Sequence, residues 1–142
     1  MYYFFPISRR PLLTKKLGTI LPRQYPLPSP KSYYSIPTGI SGIHFEWGFH
    51  GRPRNGFGVK LHFEKGSKEF NRKTIEIIEK IKLQIEQSLG EKVIFQKDWG
   101  KNWSRLYIEK NEGRMTEELK DWTVKKMKIL IEILQPELDK IK

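Results

Sequence analysis

The sequence contains no cysteine. Disulfide bonds, a thiolate nucleophile and a cysteine-ligated zinc site are therefore all excluded. This absence fits a reducing compartment, and we expect the protein to be cytoplasmic. No apolar run reaches the roughly 18 residues that a membrane-spanning helix requires. We therefore expect no membrane partner.

Acidic residues are scarce, with 16 Asp and Glu against 27 Lys and Arg, so the formal net charge is +11. Residues 1–38 contain no acid and hold six of the basic residues. A basic excess of this size favours polyanion partners, with nucleic acid the first candidate. The alternative is a lysine-rich composition without such a partner, which the Lys/Glu/Ile-rich helical segments also fit.

Regular patterning is missing from residues 1–38, which carry seven of the nine prolines. Proline lacks a backbone donor and disfavours helix at the preceding residue, so the run from Pro22 to Pro30 excludes a helix or an interior strand. We predict a flexible N-terminal extension over 1–38 and a single α+β domain over 39–142. A targeting peptide is disfavoured because the prolines interrupt its amphipathic helix. An arm that binds nucleic acid through interleaved Tyr and Arg is the other alternative.

Apolar and polar residues alternate twice between Ile43 and Glu64. Two alternating runs joined by a Gly/Pro/Asn-rich connection predict a β-hairpin with one buried face. Asn55-Gly56 supplies the positive-φ positions that such a connection needs. If Phe49 faces Phe57, His44 lies opposite His62, and Glu46 lies opposite Lys60 on the polar face.

Two helices and two further strands follow the hairpin. An amphipathic helix begins at the N-cap Ser67 and ends at Gly90. Strands are expected from Val93 and over 104–109, and a last helix begins after Thr116. The order ββαββα predicts a four-stranded, mainly antiparallel sheet with two helices packed on one face, which leaves the other face open.

From about Ile43 to Ile141 the chain also resembles a known family, the uncharacterised domain of unknown function 4268. Members commonly lie C-terminal to predicted restriction-type nuclease domains of prokaryotes. The resemblance implies an accessory domain of restriction-modification or defence systems. Residues 1–42 are too short and too poor in acid for a nuclease domain, so any nuclease is on another chain or has been lost. The matching features are Trp47, Gly51-Arg52, Leu89-Gly90, the Trp99 region, Ser104-Arg105-Leu106 and the Trp122 helix.

The sequence shows no catalytic pattern. Glu64-Lys65 and Glu109-Lys110 have the residue types of a metal-dependent nuclease, but no supporting aspartate can be placed on a neighbouring strand. We therefore predict that the protein is not an enzyme and has no cofactor. His44 and His62, with Glu46 and Glu64 nearby, are also the residue types of a divalent-metal site. Histidines on a polar strand face are more often simply polar, so no metal site is predicted.

The remaining pattern is basic and aromatic. Open β-sheets with Arg and aromatic side chains suit phosphate neutralisation and base stacking. We predict a non-catalytic accessory domain associated with nucleic acid. The alternative is that the tryptophans close the edge of the core while the Lys and Arg side chains are merely solvated. The candidate binding residues are Arg52, Arg54, Lys60, His62, Lys97, Lys101, Trp103, Arg105 and Tyr107.

A function of another class is a protein–protein interaction or dimerisation module. The last helix carries an apolar surface over Val124–Leu138 that is wider than one sheet contact needs. This surface would pair two protomers or dock a partner nuclease chain. A truncated relic of a larger nuclease-containing protein is the remaining alternative.

Overall fold

The computed structural model describes residues 33–51 and 55–141. These residues form five strands and three helices, and the strands make one antiparallel sheet in the order β1-β2-β3-β5-β4. None of the described helices is both long enough and apolar enough to cross a membrane. The strands are β1 (Tyr33–Ile40), β2 (Ile43–His50), β3 (Gly56–Phe63), β4 (Ile94–Trp99) and β5 (Trp103–Lys110), and the helices are α1 (Lys68–Glu79), α2 (Lys82–Leu89) and α3 (Glu117–Asp139).

The α+β class and the central hairpin are confirmed. Strands β2 and β3 pair with Phe49 opposite Phe57, which places His44 opposite His62 and Glu46 opposite Lys60. Ser67 accepts a hydrogen bond from the Phe70 amide (3.1 Å) as the N-cap of α1. Thr116 accepts one from the Leu119 amide (3.0 Å) as the N-cap of α3.

The prediction of four strands is wrong, because β1 adds a fifth. This strand contains Pro37, yet it pairs only with β2 at the edge of the sheet. An edge position tolerates the missing proline donor, and the register shifts between Pro37 and Ile40, where Gly39 has φ 88°. Thr38 Oγ1 donates to the carbonyl of Ile43 (2.6 Å). The predicted extension over 1–38 therefore overlaps a strand from residue 33 onward, and residues 1–32 lie outside the described part of the chain.

The single helix predicted after Ser67 is two helices, α1 and α2. The amides of Lys80 and Ile81 bond the carbonyls of Ile77 (3.3 Å) and Ile78 (3.0 Å), which is the tighter spacing of a 3₁₀ turn. The three-and-four spacing of apolar residues continues across this break, so local pattern does not reveal it. Gly90 ends α2 with φ 70°, as expected of a left-handed C-terminal residue.

The helices pack on one face of the sheet and bury the apolar sides of its strands. Helix α1 contacts β3, β4 and β5, while α3 contacts β1, β3 and α2. Lys126 of α3 donates to the Leu89 carbonyl at the C-terminal end of α2, where a cation is favourable. The apolar residues of α3 that suggested a second partner are buried within the chain: Val124, Met127, Ile131 and Leu138.

A buried asparagine ties α1 to two loops. Asn71 Nδ2 donates to the carbonyls of Lys65 (2.9 Å) and Asn102 (2.8 Å), and its Oδ1 accepts from the Lys65 amide (3.0 Å). Asn71 is fully buried, so water does not reach these groups. It joins the β3–α1 connection to the β4–β5 turn.

Replacing Asn71 by leucine should lower the free energy of unfolding by at least about 2 kcal/mol. The substitution keeps the volume but leaves three backbone groups without their partner, and a buried unpaired group costs about 1–3 kcal/mol. Urea denaturation measures the loss. Asn111→Leu, at an exposed position after β5, is the matched control and should change it by less than about 0.5 kcal/mol. Equal effects of the two variants would contradict the role of Asn71.

Candidate functional site

The face of the sheet opposite the described helices is polar, and we call it the polar face. Pairing of β3 with β5 sets His62 beside Arg105 and Lys60 beside Tyr107. Pairing of β4 with β5 sets Gln96 beside Arg105. Strand order, which the sequence left open, therefore joins the hairpin histidines to the residues of β5.

Two histidines and two glutamates form what we call the imidazole cluster: His44, Glu46, His62 and Glu64. The His44 and His62 rings are stacked in parallel, with centroids 5.1 Å apart and planes at 1°. Glu46 lies between their Nε2 atoms, with Oε1 at 3.2 Å from His44 and Oε2 at 3.4 Å from His62. Glu64 Oε2 contacts the other ring nitrogen of His62, Nδ1, at 3.0 Å.

These contacts shift two pKa values in opposite directions. Burial by itself raises the pKa of Glu46, but hydrogen bonding to His44 and His62 outweighs it and holds this pKa well below its usual range. Burial by itself lowers the pKa of His62, but Glu46 and Glu64 outweigh it and raise this pKa. The cluster therefore favours charged carboxylates around a positively charged group.

Beside the cluster, Arg105 is stacked between two aromatic rings. Its guanidinium carbon lies 4.0 Å from the Trp99 ring centroid and 4.9 Å from that of Tyr107. Its Nε donates to Gln96 Oε1 (2.6 Å). Burial lowers the pKa of Arg105 and raises that of Tyr107. Both distances are typical of cation–π contacts.

A β-bulge brings Trp99 to this stack. The β4–β5 register shifts by one residue between Gln96 and Trp99, and Asp98 has φ 61°. The extra residue turns Trp99 onto the same face as Arg105. Arg72 of α1 anchors the bulge through Nη1, which lies 2.6 Å from Asp98 Oδ2. The prediction did not include Trp99 as a binding residue, since strict alternation from Gln96 would turn it toward the helices.

His50 is a second residue of the polar face that the prediction missed. Its ring lies over two glycines of β3, where an added Cβ would be 2.7 Å from the His50 ring at Gly56 and 2.7 Å from the Lys60 side chain at Gly58. Its Nε2 lies 2.6 Å from Glu109 Oε2, and its ring makes an edge contact with Tyr107 at 5.8 Å. The signal was the Gly-Phe-Gly run, because glycine in a strand indicates a close approach.

The polar face gathers five of the nine predicted binding residues: Lys60, His62, Trp103, Arg105 and Tyr107. Lys60 and His62 are only 4% and 3% exposed, whereas Trp103 is 41% exposed. Their proposed role in nucleic-acid binding stays a prediction.

The other four predicted residues lie elsewhere. Lys97 turns toward α1, where its Nζ pairs with Glu79 (2.7 Å) and Glu76 (3.4 Å). Lys101 is exposed in the β4–β5 turn. Arg52 and Arg54 lie outside the described residues.

Fold and site together define an α+β domain with helices on one face of an antiparallel sheet and a polar, partly aromatic opposite face. The chain belongs to the family described as Domain of unknown function (DUF4268), whose model matches residues 15–138. The match confirms the resemblance found in the sequence. No curated protein and no solved structure matches the chain.

The ring of His50 should titrate below the ordinary histidine pKa of 6.5. Burial lowers its pKa, nearby Lys60 and Arg105 add to the effect, and Glu109 opposes it. Protonation would also place an N–H on Nδ1, which is buried without a hydrogen-bond partner. NMR titration of the ring measures this pKa, and Glu109→Gln should lower it further. A pKa at or above 6.5 would show that Glu109 dominates.

The lowered pKa of His50 also makes the free energy of unfolding depend on pH. The unfolded chain takes up this proton at a higher pH than the folded one. The contribution of the neutral His50 ring to stability is therefore complete above about pH 6.5. It is lost as the pH falls toward the folded pKa of His50. His50→Asn should remove this part of the pH dependence.

Proposed function

We propose that this domain is a non-catalytic accessory domain that binds nucleic acid through its polar face. The observation that supports the proposal most directly is the stack of Trp99, Arg105 and Tyr107. Within the described residues, the Arg105 side chain makes one hydrogen bond, from Nε to Gln96. Both terminal amino groups are then free to bind a phosphate or a base edge, in an orientation that the rings have already fixed.

Trp103 extends this surface toward solvent. It lies next to Trp99, with ring centroids 5.8 Å apart, and is 41% exposed. An exposed indole beside a stacked guanidinium suits an unstacked base, because any base presents a π-face to an aromatic ring. The proposal is therefore for single-stranded DNA or RNA rather than a duplex, whose bases are already stacked.

The charges of the polar face limit how it could attract nucleic acid. The polar face carries Lys60 and Arg105 against Glu46, Glu64 and Glu109, so it does not attract a polyanion by net charge. Nine of the 27 basic residues but none of the 16 acidic ones lie outside the described residues: Arg9, Arg10, Lys15, Lys16, Arg23, Lys31, Arg52, Arg54 and Lys142.

The polar face and the basic segments would therefore have different roles in binding nucleic acid. The basic residues of 1–32 and Arg52 with Arg54 supply the salt-dependent attraction to phosphates, while the polar face supplies stacking. We further propose that the domain serves a prokaryotic restriction or defence system, the context that the family resemblance implies. A dimerisation module has less support, because the α3 residues that suggested it are buried within the chain.

In the full chain, Trp103→Ala should weaken binding of a labelled oligothymidine or oligouridine by roughly tenfold, since stacking on one base is worth about 1–3 kcal/mol. Arg105→Gln should weaken it by about three- to tenfold and reduce the salt slope by no more than about one. Fluorescence anisotropy across a salt series measures both effects. A matched duplex should bind more weakly than either single strand.

Two variants on the helix layer serve as controls. Lys125→Gln removes one exposed charge from α3, as Arg105→Gln does from β5. Leu83→Ala trims a side chain of α2 that is 69% exposed, as a match for Trp103→Ala. Both should bind like the parent. Undetectable binding at low salt would refute nucleic-acid binding, and equal effects of test and control variants would refute the role of the polar face.

A further inference from the structure

Two neutral histidines cannot satisfy every hydrogen-bonding atom of the imidazole cluster. Glu46 lies against the Nε2 atoms of both rings, at 3.2 Å and 3.4 Å, so the favoured neutral tautomers carry their hydrogen on Nε2. The Nδ1 atom of His62 then has a lone pair, yet it faces the Glu64 carboxylate at 3.0 Å. Either a second proton on His62 or a metal ion must lie between these two electron-rich atoms.

Burial makes this conflict costly. His62 is 3% exposed, and its Nε2 lies 3.4 Å from Glu46, which is a long separation for a hydrogen bond. The His44 and His62 rings are stacked in parallel 5.1 Å apart. Buried polar groups without partners destabilise a fold unless a proton or an ion satisfies them.

A divalent cation resolves the conflict, because three ligand atoms are already close. One ligand atom from each of His44, His62 and Glu64 lies within 4.8 Å of the other two. In a tetrahedral site with bonds of about 2.0–2.1 Å, ligand atoms are about 3.3–3.4 Å apart. The His62–Glu64 pair is already close to that separation, at 3.0 Å. Closure therefore requires His44 to approach by at most about 1.5 Å and its ring to rotate out of the parallel stack with His62.

We propose that His44, His62 and Glu64 bind a divalent transition-metal ion such as Zn²⁺, with Glu46 as a positioning carboxylate. Glu46 would accept the Nε2 hydrogens of both histidines and turn their other nitrogens toward the metal, as carboxylates commonly do behind metal-binding histidines. Two imidazoles and one carboxylate select borderline ions over Mg²⁺. The ligands are distinct from Trp99, Trp103 and Arg105, so the site does not depend on the proposed nucleic-acid binding.

NMR of the tag-free, chelator-treated full chain tests the site without any substitution. The chain has three histidines, and only His44 and His62 lie in the cluster. Zn²⁺ at one equivalent should shift the ring signals of these two and leave those of His50 in place. Mg²⁺ at the same concentration should shift none of them. Shifts of all three rings, or of none, would overturn the proposal.

Variants then separate ligands from the positioning residue. His44→Asn and Glu64→Gln should each weaken Zn²⁺ binding at least tenfold and change the visible absorption of bound Co²⁺, because each removes a ligand. Glu46→Gln should weaken binding by about 10–100-fold but leave the positions of the Co²⁺ bands unchanged. Isothermal titration calorimetry gives the affinities, and circular dichroism checks that each variant is folded.

His50→Asn is the matched histidine control and should bind Zn²⁺ like the parent. Retention of binding in folded His44→Asn and Glu64→Gln would overturn the assignment of the ligands. A change of the Co²⁺ bands in Glu46→Gln would make Glu46 a ligand and overturn its positioning role. Failure of the metal site would leave the Trp103 and Arg105 results untouched, so the two proposals are separately refutable.

Discussion

The register of β2 against β3 is the constraint on which the polar face depends. Successive residues of a strand point to opposite sides, so a slip by one residue would exchange the two faces of the hairpin. Phe45 and Trp47 are fully buried under the helices, and burying each such side chain contributes about 1.5–3 kcal/mol. Apolar packing on one side thereby forces His44 and Glu46 into register with His62 and Lys60 on the other. The apolar core between the sheet and the helices therefore decides which residues meet on the polar face.

Local pattern was sufficient for the hairpin and for the helix caps, because their signals are short-range: alternation, Ser67, Thr116 and Gly90. It failed where tertiary context decides. β1 was missed because it begins within the proline-rich segment 1–38 and contains Pro37, although an edge strand tolerates a proline. The break between α1 and α2 was missed because apolar spacing runs through it.

The composition of the site was predicted better than its arrangement. Residue types indicated histidines with carboxylates and arginine with aromatics, and the hairpin register was correct. What placed Arg105 next to His62 is the pairing of β3 with β5, a contact between residues distant in sequence. The pairing of β4 with β5, with its bulge at Asp98, brought in Trp99, whereas ordinary alternation from Gln96 already turns Lys97 toward α1. Local periodicity carries no information about strand order, and a bulge reverses the alternation that follows it.

Electrostatics connects the two proposals. Three carboxylates, those of Glu46, Glu64 and Glu109, share the polar face with Lys60 and Arg105, and this balance by itself opposes a phosphate. A divalent cation held by His44, His62 and Glu64 adds positive charge one strand away from Arg105. Metal and nucleic acid would then favour each other's binding by the same factor, because coupling between two sites is reciprocal. Two of the three carboxylates that weaken the face as a polyanion site, Glu46 and Glu64, are therefore the groups that qualify it as a cation site.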